Sequence, residues 1–265
     1  MAEAAVTQNI SVYEPSLFGT YSKKIGMWLF LLSDSLTFGA LLYAYSYGRI
    51  SIADWPTPFH SGSILNATIM TAFLLTSSLT MVLAVSAAAR GKETARRMWL
   101  LATMACGTGF IILHGREWSH LISEGLRLPI FPEVPGQEAS AEFVNVSKTV
   151  PQFAATFFGL TGMHMLHVTL GVIYLGIIAL RKKFIPILLA CWLAAWLLTP
   201  AYSPFHYAAH VLLLAALVCS LILWLKPKVY DAADTEVAGL YWHFVDLVWM
   251  FIFPLVYLMS TKIIH

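Results

Sequence analysis

The feature that most constrains this chain is a series of apolar runs, each long enough to cross a bilayer, separated by short basic clusters. A helix rises 1.5 Å per residue, so about 20 mostly apolar residues span the hydrocarbon core. Such runs lie at 25–48, 64–89, 98–117, 153–180 and 240–261, and a further apolar stretch fills 184–225. Charged residues make up only 11% of the 265 and hydrophobic ones 58%, whereas a soluble domain is about 25% charged. The chain therefore reads as an all-α, polytopic transmembrane helix bundle, not as a string of soluble domains.

The basic clusters set the crossings. Lys23 and Lys24 precede the first run, and Arg90, Lys92, Arg96 and Arg97 follow the second. Arg181, Lys182 and Lys183 follow the fourth, and Lys226 and Lys228 precede the last. Lys and Arg near span ends stay on the cytoplasmic side. All four clusters obey this only if 184–225 crosses an even number of times. Two crossings fit, broken at "TPAYSP", where Pro200 and Pro204 end one helix and open the next. The expectation is seven spans, with residues 1–24 as a cytoplasmic N-terminal segment and the C-terminus on the periplasmic side. The long loop, 118–152, then lies outside as a Pro-rich, acidic connector. Cys106, Cys191 and Cys219 all fall in apolar runs and read as packing residues. The N-terminus lacks the apolar core and cleavage site of a secretory signal, and no nucleic-acid partner is expected.

Against this background the polar residues at membrane depth stand out. A charge at mid-bilayer costs about 3 kcal/mol on insertion scales, so each needs a partner or a water cavity. Asp34 lies about 14 Å up the first span from residue 25. His164 and His167 share a face of the fourth span, which descends and leaves His167 about 20 Å from the inner side. Tilt and side-chain length close that difference, which predicts an Asp34–His167 contact holding a shared proton or a protonated Asp34. His243 and Asp246, three apart near the inner end of the last span, are expected to face the bundle. Glu117, at the outer end of the third, is expected to pair with Arg116 beside the interfacial Trp118.

These residues do not form a redox centre or a hydrolytic site by spacing. His164/His167 and His206/His210 are spaced three and four apart, which suits a metal ion better than stacked haems, and satisfied core histidines are the preferred reading. No Cys-x-x-Cys-His, His-Glu-x-x-His or phosphate-binding glycine loop occurs. Asp34 and Asp246 are the membrane-depth aspartates and carry no protease motif. No catalytic, cofactor-binding or metal-binding residue is assigned in this chain.

The last run, "YWHFVDLVWMFIFPLVYLM", resembles the closing helix of subunit III of haem-copper oxidases. "GMWLFLLSDSLTFGALLYAY" is similar to the family's first shared helix and "TFFGLTGMHMLHVTLG" to a middle one. "ILNATIMTAFLLTSS", "GKETARRMW" and "EVAGLYWHFVD" with Glu236 extend the likeness over roughly two thirds of the chain. Two departures matter. Seven-helix members have two helices before the shared five, whereas here the shared set comes first and a helical pair at about 184–225 is inserted before the last. Asp34 also stands where the family usually has glutamate, a methylene shorter. The resemblance implies an accessory subunit without haem or copper of its own, next to subunits I and II that carry them. It implies stabilisation of that core, bound phospholipid and support of proton uptake in a proton-pumping terminal oxidase of a bacterial inner membrane. Further expected partners are the membrane phospholipids and a larger respiratory supercomplex.

The rivals are a quinol oxidase subunit III, a subunit III-like protein accompanying nitric oxide reductase, a proton-coupled carrier using Asp34, and a b-type haem protein. The inserted pair yields a direct test. A cysteine at Ser203, near the expected turn at Ala201–Ser203, should react with impermeant reagent from the periplasmic side. Labelling from the cytoplasmic side alone would overturn the topology.

Overall fold

The computed structural model describes residues 22–126 (apart from 53–54, 57–58 and 60), 150–180 and 230–259, with scattered positions between 186 and 221. The described helices are α1 (Ser22–Ser51), α2 (Ser61–Ala89), α3 (Glu93–Ser123), α4 (Pro151–Leu180) and α5 (Ala232–Ile252). A π-helical turn, Phe253–Leu258, continues α5. All five are long and apolar enough to cross a membrane, and no strand occurs among the described residues. Two more expected crossings, the proline break, the turn at Ala201–Ser203 and His206 lie outside the described residues. So do residues 127–149 of the long loop and 1–21 of the N-terminal segment. Within 184–225 the described positions are helical. Leu213 and Leu217 join one apolar cluster with Met104 of α3 and Ile173, Ile177 and Leu180 of α4.

Local chemistry sets the helix ends. Between α2 and α3 the chain reverses at Gly91, whose φ of +68° favours glycine. Gly91 N–H donates to Ala88 O and Lys92 N–H to Ala87 O, each at 3.0 Å, the paired closure of a Schellman C-terminus. An antiparallel hairpin follows. α5 starts eight residues before the apolar run because a capping box opens it. Asp231 accepts from Asp234 N–H at 2.8 Å, and Asp234 accepts from Asp231 N–H at 3.2 Å. Hydropathy cannot register this polar first turn, so the expected start at 240 is corrected to Ala232. At the other end Pro254 has no N–H to donate. The turn widens there, and Met259 N–H reaches Pro254 O at 2.9 Å.

The core centres on α5. Trp242 is 1% exposed, and its ring fills the space that a Cβ at Gly107 of α3 or Gly171 of α4 would claim. Its indole N–H donates to Ser77 Oγ of α2 at 2.9 Å. One side chain thus joins four helices. Two turns further along, the Trp249 N–H donates to Thr71 Oγ1 at 2.9 Å, and its ring packs against Phe110, His114 and His164. Small residues let helices approach where lipid provides no hydrophobic drive, and dispersion and hydrogen bonds do the joining.

A Cβ at Gly107 would lie 2.6 Å from Trp242 Cη2 and 2.8 Å from Val172 Cγ2. Gly107→Leu should therefore overpack the centre and destabilise the bundle by about 1–3 kcal/mol. Gly115→Ala, with no neighbour within 4 Å of its Cβ, should be close to neutral. Thermal unfolding in detergent distinguishes them, and equal melting temperatures would contradict this packing.

Candidate functional site

Ion pairs gather at the ends of α1, α3 and α5 that carry the basic clusters. Lys23 Nζ lies 2.9 Å from Asp234 Oδ1, and Lys24 Nζ lies 2.6 Å from Glu236 Oε1. Both tie the start of α1 to the start of α5. Buried Arg96 of α3 is held by Glu93 at 2.7 Å and donates to Thr235 Oγ1 at 3.2 Å. Each pair at a membrane surface is worth little alone. Together they align three helices in register, which fixes the heights of the groups deeper in.

Asp34 and His167 meet at the middle of the bundle. Asp34 lies about 18 Å from the start of α1 and His167 about 20 Å from the end of α4, on antiparallel helices. The contact expected from those heights forms: Asp34 Oδ2 is 2.7 Å from His167 Nε2. The opposite ring nitrogen, Nδ1, lies 2.8 Å from Met163 O. A carbonyl only accepts, so Nδ1 carries a proton and Nε2 faces the carboxyl. Phe38 packs edge-on against the imidazole, and Tyr241 O–H donates to His167 O at 2.9 Å. The side chains are only 8% and 13% exposed.

The other expected residues lie in separate places. His243 and Asp246 face α2: His243 Nδ1 is 2.9 Å from Ser78 Oγ, and the Asp246 carboxyl lies beside the same hydroxyl. Because α5 starts earlier, they sit about 17 and 21 Å along it, near the middle of the helix and its π-helical continuation. His164 Nε2 donates to Val245 O at 3.1 Å, tying α4 to α5. Glu117 does not pair with Arg116, since adjacent helix residues point apart. It accepts instead from Asn66 Nδ2 at 2.9 Å and lies against the Tyr257 hydroxyl, joining α2, α3 and the π turn. His210 is described, whereas its expected neighbour His206 lies outside the described residues. Among the described residues no group of three or more His, Cys, Asp or Glu side chains converges as for a metal ion.

Sequence reasoning missed His114. It is 0% exposed, enclosed by Phe110, Trp118 and Trp249. The available signal was its place three residues before Glu117, on the same helix face. Asn66, Ser78 and Tyr241 were missed too. Their types are common in membrane helices, and only the packing selects them.

No family model matches the chain. Cytochrome c oxidase subunit 3 of Alkalihalophilus pseudofirmus is 28% identical over 240 residues, covering 91% of this chain and 88% of that one. Cytochrome bo(3) ubiquinol oxidase subunit 3 of Pseudomonas putida is 27% identical over 239 residues, covering 89% and 86%. Quinol oxidase subunit 3 of Bacillus subtilis is 27% identical over 238 residues, with the same two coverages. Along nearly its whole length the chain is similar to subunit 3 of cytochrome c and quinol oxidases.

Proposed function

We propose that this chain is the accessory subunit III of a proton-pumping haem-copper terminal oxidase, bound to the subunits that reduce oxygen. The observation that carries the reading is the near full-length likeness to oxidase subunit 3 from both donor classes. A cytochrome c oxidase and a quinol oxidase are both compatible with it, and quinol oxidation is the second reading. The chain sits in a bacterial inner membrane, N-terminus inside and C-terminus outside, with phospholipid on its apolar faces. It has no redox centre of its own.

In this role the chain stabilises the catalytic core and supports proton uptake into it. The Asp34–His167 pair serves both ends. It seals α1 to α4, and a carboxyl beside an imidazole can take up or release a proton with little movement of heavy atoms. Removing one partner of a buried pair costs about 3–5 kcal/mol by leaving the other uncompensated, so Asp34→Ala should loosen α1. Asp34→Asn keeps a hydrogen bond to Nε2 but cannot ionise.

Two outcomes are expected. Membranes lacking this chain should keep the oxidase haem and its initial turnover while losing sustained turnover. Complete loss of haem from an otherwise assembled core would contradict an accessory role. In the complex, Asp34→Asn should assemble normally yet shorten the turnover lifetime and slow proton uptake. Unchanged pumping and lifetime in that variant would confine the pair to structure.

A further inference from the structure

At the end of the bundle opposite the basic clusters, α2 and α3 enclose a cavity of about 370 Å³. One water takes up about 30 Å³, so the space holds several. Ser63 and Asn66 of α2 line one side, and Leu113, Glu117 and Leu121 of α3 the other. By helix rise Glu117 lies about 36 Å along α3, past the far edge of a hydrocarbon core of about 30 Å. The cavity therefore opens where water reaches. Glu117 itself is only 7% exposed. Its Oε2 accepts from Asn66 Nδ2 at 2.9 Å. Its Oε1 is buried and has no hydrogen-bond partner among the described residues, although the Tyr257 hydroxyl of the π turn lies against the carboxyl. An ionised carboxylate only accepts and has about four lone-pair sites to satisfy. Burying it with one oxygen unanswered is costly. A proton removes the charge and makes the carboxyl a donor. The surrounding charges do not supply that answer. Arg116 and His120 are exposed, and the His120 ring lies 3.3 Å from Glu124. The buried His114 stands one turn inward, α2 presents Ser63 and Asn66 without a charge, and Tyr45 of α1 lies behind Tyr257.

We propose that Glu117 is a proton-binding site that exchanges with the outer aqueous phase through this cavity, separate from the Asp34–His167 pair. The ligand is a proton carried by water. In the binding step a hydronium ion in the cavity gives a proton to the Glu117 carboxylate, leaving water and a carboxylic acid. Release runs the same step backwards, and only O–H bonds form and break. Asn66 steadies the carboxyl in both forms, because its N–H donates to an ionised or a neutral oxygen. Tyr257 feels the difference. A carboxylate accepts from the phenol, whereas the acid can donate to it. The proton therefore alters the link between α3 and the π turn that ends α5. The cavity lies at the far end of the bundle from Lys23, Lys24 and Arg96, so this proton arrives from the side opposite the basic clusters. The inference rests on the chain spanning a membrane and not on which oxidase, if any, it serves.

The test uses the full-length chain, in whatever complex it leaves the membrane, held in nanodiscs and titrated by infrared spectroscopy. A carboxylic-acid C=O absorption should be present at low pH, fade as the pH rises, and be missing from Glu117→Gln at every pH. The amide still offers Asn66 an acceptor, so the bundle stays assembled. Transfer to heavy water should shift the same absorption as the carboxyl proton exchanges. Ser63→Phe, which fills the cavity from a partly exposed position on α2, should slow that shift about threefold or more. If Glu117→Gln fails to assemble, Tyr257→Phe should move the frequency of the titrating absorption, because it removes the neighbouring phenol. Identical spectra for wild type and Glu117→Gln, or an absorption that no rise in pH removes, would overturn the assignment. So would exchange indifferent to Ser63→Phe or, in the fallback, a frequency unmoved by Tyr257→Phe. Absence of oxidase subunits from the preparation would count against the proposed function and leave this measurement valid.

Discussion

Hydrocarbon does not solvate polar groups, and several polar side chains deep in this bundle are answered by another helix. That constraint organises the structure. Asp34 is answered by His167, His164 by the Val245 carbonyl, His243 by Ser78 and Glu117 by Asn66. Each answer joins a different pair of helices: α1 to α4, α4 to α5, α5 to α2, and α3 to α2. The polar contacts specify which helices are neighbours and at what height. Packing does the rest, since the apolar faces alone gain little in lipid from meeting one another.

α5 is the element on which these contacts converge. Its two tryptophans combine a large apolar ring with a single N–H, and each N–H finds a hydroxyl of α2. Gly107 and Gly171 make room for the Trp242 ring, so the helices close around it. α1 is attached differently. It presents Trp28, Leu36, Tyr43 and Ile50 outward and is held by the Lys23 and Lys24 ion pairs at one end and by Asp34 at the middle. The Asp34–His167 contact therefore sits at the seam of the least enclosed helix.

Much of this was legible from the sequence, and for physical reasons. Apolar run lengths marked all five described helices, because hydrocarbon thickness sets a minimum span. Helix rise placed Asp34 and His167 at similar heights, because regular helices keep their geometry over long distances. What was missed depends on features that hydropathy does not encode. The start of α5 is set by the hydrogen bonds between Asp231 and Asp234, which draw polar residues into a helix that an apolar window cuts off. That shift places His243 and Asp246 further along the helix from its start. Arg116 and Glu117 looked paired by charge, but successive helix residues diverge, and Glu117 turned toward Asn66. His114 carried too little context on its own, since its surroundings come from Trp249, far away in the chain.

The central claim is that this bundle works beside catalytic oxidase subunits and not alone. Purification from its own membranes in mild detergent, with identification of the co-purifying proteins and a reduced-minus-oxidised visible spectrum, tests it most directly. The account predicts stoichiometric recovery with the larger oxidase subunits and the absorption of their haem. A colourless chain recovered alone under conditions that keep other respiratory complexes intact would contradict it.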